Sequence, residues 1–67
     1  MTAKFRVLDG TEVIRSYELE YTTTKGLNNL FHEARQVWDE YMVEVETEWG
    51  VMSYSHTYAD EVKQGWA

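Results

Sequence analysis

The hydrophobic period of this chain switches from two to between three and four and back again, and that switch confines it to a mixed fold. Residues 4–7 (Lys-Phe-Arg-Val) alternate polar and apolar. Val13, Tyr17, Leu19 and Tyr21 extend the alternation against Glu12, Ser16, Glu18 and Glu20. A period of two places successive side chains on opposite faces of a strand. Leu27, Leu30, Phe31, Ala34, Trp38 and Tyr41 then recur at offsets of 0, 3, 4, 7, 11 and 14. That spacing traces one stripe of an α-helix. It predicts a helix over about residues 25–42, with Thr22-Thr23-Thr24 supplying the N-cap. Its polar face would carry Asn28, Asn29, His32, Glu33, Arg35, Gln36, Asp39 and Glu40.

After the helix, Val43-Glu44-Val45-Glu46-Thr47-Glu48-Trp49 alternates again and is rich in β-branched residues, so 43–49 reads as a strand. The rival is a prolonged helix, because Tyr41, Val45, Trp49 and Met52 also share a helical stripe. Gly50 breaks the run, and residues 51–58 read as a fourth strand with Met52, Tyr54, His56 and Tyr58 on one side. The tail, Ala59 to Ala67, is expected to form a short turn of helix. The sum is an α+β fold, ββαββ or ββαβ, in which one amphipathic helix packs on one face of a small antiparallel sheet.

The first hairpin can be registered by its pattern. A two-residue Asp9-Gly10 loop would put Phe5 and Val13 on opposite faces and split the apolar set. A three-residue loop, Leu8-Asp9-Gly10, pairs Phe5 with Val13 and Arg6 with Glu12, and gives Gly10 the left-handed position. The second register is the expectation.

Size limits what such a fold can do. A chain of 67 residues is one domain, and it buries only about 60% of its unfolded surface. With no Cys there is no disulfide or thiolate staple, which favours an intracellular, cytoplasmic setting. No signal peptide or membrane span is visible in the sequence. Twelve Asp and Glu face six Lys and Arg, for a net charge of −6. That balance argues against direct contact with DNA, RNA or anionic lipid. At 15% aromatic and 43% hydrophobic, the chain is too apolar for a disordered acidic tail.

Motifs for chemistry are sparse. His32-Glu33 lacks the second His of a zinc-protease helix, and His56 with Asp60 is too few ligands for a metal. There is no Gly-rich phosphate loop, and no Ser is ordered with a base and an orienting group. The expectation is a non-enzymatic protein with no catalytic residue, metal or cofactor.

The informative pattern is carboxylate spacing. Strand residues two apart lie on one face, about 6.8 Å apart. Glu44, Glu46 and Glu48 would form one row, and Glu12, Glu18 and Glu20 another. If the helix covers Val13, Tyr17, Leu19, Val43 and Val45, both rows point away from it. Like charges on neighbouring strands are destabilising, so folding alone would not favour such a face. A lattice of carboxylates resembles the phosphate field of a duplex, with one charge per about 3.4 Å on each strand. Trp49, Tyr54, Tyr58 and Trp66 exceed what so small a core needs, and surplus aromatics anchor interfaces. A homodimer would use them as well as a foreign partner would.

Asp9-Gly10, the run Tyr17-Glu18-Leu19-Glu20-Tyr21, Lys25-Gly26-Leu27, Phe31 with Glu33, and the alternation from Val43 together resemble the short uracil-DNA glycosylase inhibitors of Bacillus phages. The resemblance covers about residues 4–49, and the segment after Gly50 has no counterpart. It implies a homodimeric DNA mimic that binds a DNA-binding enzyme, in the cytoplasm of an infected bacterium. Glu18, Glu20 and Glu33 would stand in for phosphates, joined by Glu44, Glu46 and Glu48 from the strand pattern. Phe31, Trp38, Tyr41, Trp49 and Tyr54 would line a partner pocket or a dimer seam. The alternative is a homodimeric interaction or assembly module, such as a phage structural or adaptor protein, whose acids only keep it soluble.

Overall fold

A computed structural model describes residues 1–66; Ala67, the end of the expected tail, lies outside the described residues. The chain runs β1 (Thr2–Asp9), β2 (Glu12–Glu20), α1 (Thr24–Val37), β3 (Met42–Thr47), β4 (Gly50–Ser53) and α2 (Tyr58–Gln64). The strands form one antiparallel sheet in the order β2-β1-β3-β4. This is the α+β arrangement that the change of period predicts.

The core follows from the alternation. Ala3, Phe5 and Val7 of β1 and Val43 and Val45 of β3 point to one face, with Phe5 opposite Val45 and Val7 opposite Val43. Leu27, Phe31 and Ala34 of α1 cover them, and Tyr21 closes one end. Phe5, Val7 and Val45 are fully enclosed, and burying each side chain contributes about 1.5–3 kcal/mol. The Phe5 ring stacks on Tyr17 at 5.3 Å.

The hairpin corrects the expected register. Asp9 pairs with Glu12 around a two-residue Gly10-Thr11 turn, and Gly10 takes φ +64. Glycine at the first turn position of a two-residue loop matches strand twist without a Cβ clash. A bulge then resolves the mismatch that the longer loop was meant to avoid. Val7 pairs with Arg15 and Leu8 with Val13, leaving Ile14 as the extra residue. Phe5 therefore meets Tyr17 rather than Val13, and Arg6 meets Ser16 rather than Glu12.

The helix also ends sooner than the stripe suggests. Thr23 caps its start, its hydroxyl accepting from the Gly26 amide at 3.0 Å. It stops at Val37, with Trp38 as C-cap, so Tyr41 lies beyond it in a turn. Fourteen residues of helix span about 21 Å, close to the roughly 20 Å of six-residue β3. Further turns would carry the chain past the sheet it must rejoin. The segment from Met42 is a strand and not a helical extension. Strand β4 is shorter than the expected 51–58, because Tyr54 leaves the sheet and Tyr58 opens α2.

Candidate functional site

On the sheet face opposite α1, central strand β1 contributes Lys4 and Arg6, and the acids flank them. Lys4 stands between Glu18 and Glu46, and Arg6 between Ser16 and Glu44. Arg6 Nε donates to Glu44 Oε1, and Nη2 donates to Glu46 Oε1 at 3.0 Å. Glu44 and then Glu46 hold the Arg6 guanidinium above its already high pKa. Glu20 accepts from the Thr2 hydroxyl at 2.7 Å and lies 3.6 Å from the N-terminal ammonium. Thr2 first, and then that ammonium, keep its carboxyl below the ordinary value.

The face is therefore a mixed lattice of charge, in which Arg6 binds Glu44 and Glu46 and not the expected Glu12, and it falls short of the six carboxylates expected from the spacing. The bulge contributes to this, because residues opposite one another share a face. Glu12 pairs with Asp9, on the side away from Glu18 and Glu20, and Val13 turns outward opposite Leu8 with 47% exposure. Val13 is thus not part of the covered face. Glu48 is in the β3–β4 turn and does not extend the strand row.

A second region lies between β2 and α1. A groove of about 190 Å³ is lined by Tyr17, Leu19, Leu30, Glu33, Val37 and Trp38. Val37 and Glu33 are exposed, and Leu19, expected beneath the helix, is also exposed at this edge. Burial raises the pKa of the Tyr17 phenol, against an opposing effect of Trp38. Glu18 and Glu20 alternate with Tyr17 and Leu19 along the same strand and are exposed. Glu18 and Glu20 thus share the sheet face of Glu44 and Glu46, turned away from α1, whereas Glu33 stands on the helix side of the β2 edge, beside the groove.

The expected aromatic group divides. Phe31 belongs to the core, and Trp38 and Tyr41 are half-buried against it. Trp49 stands in the β3–β4 turn with 82% of its surface exposed. Tyr54 packs edge-on against Phe31 at 5.6 Å and stacks with His56 at 5.7 Å.

One cluster was not foreseen. Arg35, assigned to the polar helix face by the pattern, is 3% exposed. Its guanidinium lies 4.0 Å from the Tyr54 ring, donates to the His56 carbonyl at 3.3 Å and pairs with Glu61 at 2.9 Å. Glu61 also meets His56 Nε2 at 2.8 Å, so His56 engages Glu61 rather than Asp60. Arg35, followed by His56, holds the Glu61 carboxyl below its ordinary value. The available signal was the position of Arg35 four residues after Phe31, at the margin of the stripe.

Among the described residues no group of three or more His, Cys, Asp or Glu is placed to hold a metal. No helix among them is long and apolar enough to cross a membrane. No protein-family model, curated protein or solved structure matches this chain.

Proposed function

We propose that this chain is a non-enzymatic inhibitor that occupies the DNA site of a DNA-binding protein, with uracil-DNA glycosylase the specific candidate. The supporting observation is the β2 edge, where Glu18 and Glu20 stand exposed on the sheet face turned away from α1 and Glu33 stands exposed beside an apolar groove on the other side. Glu18 and Glu20 share a strand face about 6.8 Å apart, a spacing comparable to that of phosphates along one DNA strand. The groove accepts an apolar side chain, and the net charge of −6 draws in a basic surface. Glu44 and Glu46 contribute less to this reading, because Arg6 offsets their charge. The protein acts in the cytoplasm of a bacterial host.

The test is uracil excision by a bacterial uracil-DNA glycosylase with increasing amounts of the protein. Stoichiometric inhibition, relieved by duplex DNA and by a Glu18→Gln, Glu20→Gln, Glu33→Gln triple variant that stays folded, is the expected result. An unaffected enzyme removes the glycosylase as target.

A second reading is a homodimeric assembly module. It is favoured by β2, a nine-residue edge strand that exposes Val13, Ile14 and Leu19. Such a free apolar edge invites pairing with another chain. Sedimentation as a dimer, with partner binding indifferent to added DNA, selects this reading.

A further inference from the structure

At the opposite sheet edge, β4 is paired on one side only, with β3. The two-residue turn Glu48-Trp49 closes on the pair Thr47–Gly50. A two-residue hairpin bonds its closing pair, and hydrogen-bonded pairs alternate along the ladder. The backbone groups of Gly50 and Met52 therefore face β3, and those of Val51 and Ser53 face outward.

Alongside this edge runs α1, leaving a trough between helix and strand. One pocket of about 370 Å³ is lined by Tyr21, Leu27, Trp49, Val51 and Met52, with Thr24 at its helical end. A second, of about 420 Å³, shares Val51 and Met52 and adds Asn28, Phe31, His32, Ser53 and Tyr54. The helix and strand advance together: Thr24 to His32 rises about 12 Å, and Gly50 to Tyr54 about 14 Å. The two sets of helix residues are offset by about one turn, 5.4 Å, near the roughly 6.8 Å repeat of same-face side chains on an extended chain.

We infer that the trough between β4 and α1 binds an extended, cationic peptide segment of a partner protein, which adds to β4 as a fifth strand. Val51 and Ser53 supply the main-chain hydrogen bonds. One side chain of the peptide enters the apolar pocket beneath Trp49. The side chain two residues away enters the second pocket, where Asn28, His32 and Ser53 offer polar contacts. Strand addition beside a helix gains affinity from the backbone and selectivity from alternate side chains. Charge selects the occupant: Glu48 lies in the turn beside Trp49, the N-terminal ammonium of Met1 at the first pocket is already held by Glu20 and the Tyr21 carbonyl, the chain carries −6, and the exposed indole face attracts a guanidinium or ammonium. A second copy would bring the same negative charge to the contact. This site is independent of the β2–α1 flank and stands whether or not the inhibitor reading holds.

The test is selection of ten-residue peptides from a random display library on the immobilised full chain. The winning peptide is then synthesised and titrated into ¹⁵N-labelled protein. The expected winners carry Lys or Arg and an apolar residue two positions from a polar one, and they shift the amides of 50–54 and 27–32. Val51→Pro removes one outward N–H without touching the β3 ladder and should weaken binding at least tenfold, whereas Val51→Ala should bind within about twofold of the parent. Trp49→Ala, a change at an exposed position, should weaken binding with the amide spectrum otherwise preserved. Absence of enriched peptides, shifts confined to the β2 flank, or equal affinity for the Val51→Pro protein would each overturn the inference. So would a concentration-dependent dimer joined through β4 in the protein alone.

Discussion

Arg6 and Arg35 are both held by carboxylates, yet they do different work. Arg6 lies on the open sheet face, where Glu44 and Glu46 bind it from the next strand. Its contacts balance a surface that would otherwise repel itself, and water screens them. Arg35 is enclosed between α1 and the chain after β4, with Tyr54 under its plane and Glu61 of α2 as its counter-ion. Without Glu61 a buried cation would stand uncompensated. Since α2 has no buried residue of its own, this ion pair and the bond from the Ala59 amide to the Asp39 carbonyl attach it to the body. Burial, more than the number of partners, decides what an ion pair does.

The largest effect should come from Arg35→Ala. Removing it leaves Glu61 without its main partner and opens a void under Tyr54, for a loss of about 3 kcal/mol in urea denaturation. Amide exchange should accelerate first in Tyr58–Gln64. A loss no greater than that of an average surface substitution would erase the distinction between the two arginines.

Acid should act on the same cluster. Glu61 has a depressed carboxyl pKa in the folded protein, through Arg35 and then His56. A depressed acid stabilises fully above its unfolded value of 4.5, and that contribution disappears as pH falls through the lower folded value. Protection of the α2 amides should hold from neutral pH to about pH 5 and decline below the ordinary carboxylate range. Glu61→Gln should flatten that decline, as followed by hydrogen exchange at several pH values.

Tyr21→Phe probes a buried polar group with no partner. The Tyr21 hydroxyl is enclosed and forms no hydrogen bond, so its removal relieves a desolvation cost. The variant should be more stable by about 1 kcal/mol in thermal unfolding. A destabilised variant would mean that the hydroxyl contributes to the fold as the buried Arg35 does.

Arg6→Gln should have the smallest effect. It takes the net charge from −6 to −7 by loss of one positive group. The melting temperature should fall slightly at low salt and recover as salt is added. A salt-independent loss would place Arg6 in the class of Arg35.

Much of the fold was legible in the sequence. The stripe from Leu27 placed the helix, the alternation at Val43 and Val45 placed a strand, and the alternation over 4–7 set Phe5 and Val7 on one face. Less of the candidate site was legible. Glu18, Glu20 and Glu33 were grouped, although the sheet separates Glu33 from the other two, and Glu44 and Glu46 were counted as free charge. Their neutralisation depends on which strand lies beside β3, and single-strand periodicity carries no information on pairing order. Arg35 was missed because a charged residue at a stripe margin reads as solvated until a later segment covers it.

What the sequence determined by itself is local: the period of each segment, a helix start among Thr22-Thr23-Thr24 and a left-handed glycine at Gly10. These follow from backbone geometry and need no distant partner. The tertiary structure alone decided the β2-β1-β3-β4 order, the bulge at Ile14, the end of α1 at Val37 and the docking of α2 on Arg35. Each of those depends on contacts between residues far apart in the chain, where the space left by one element sets the length, register or charge tolerated in another.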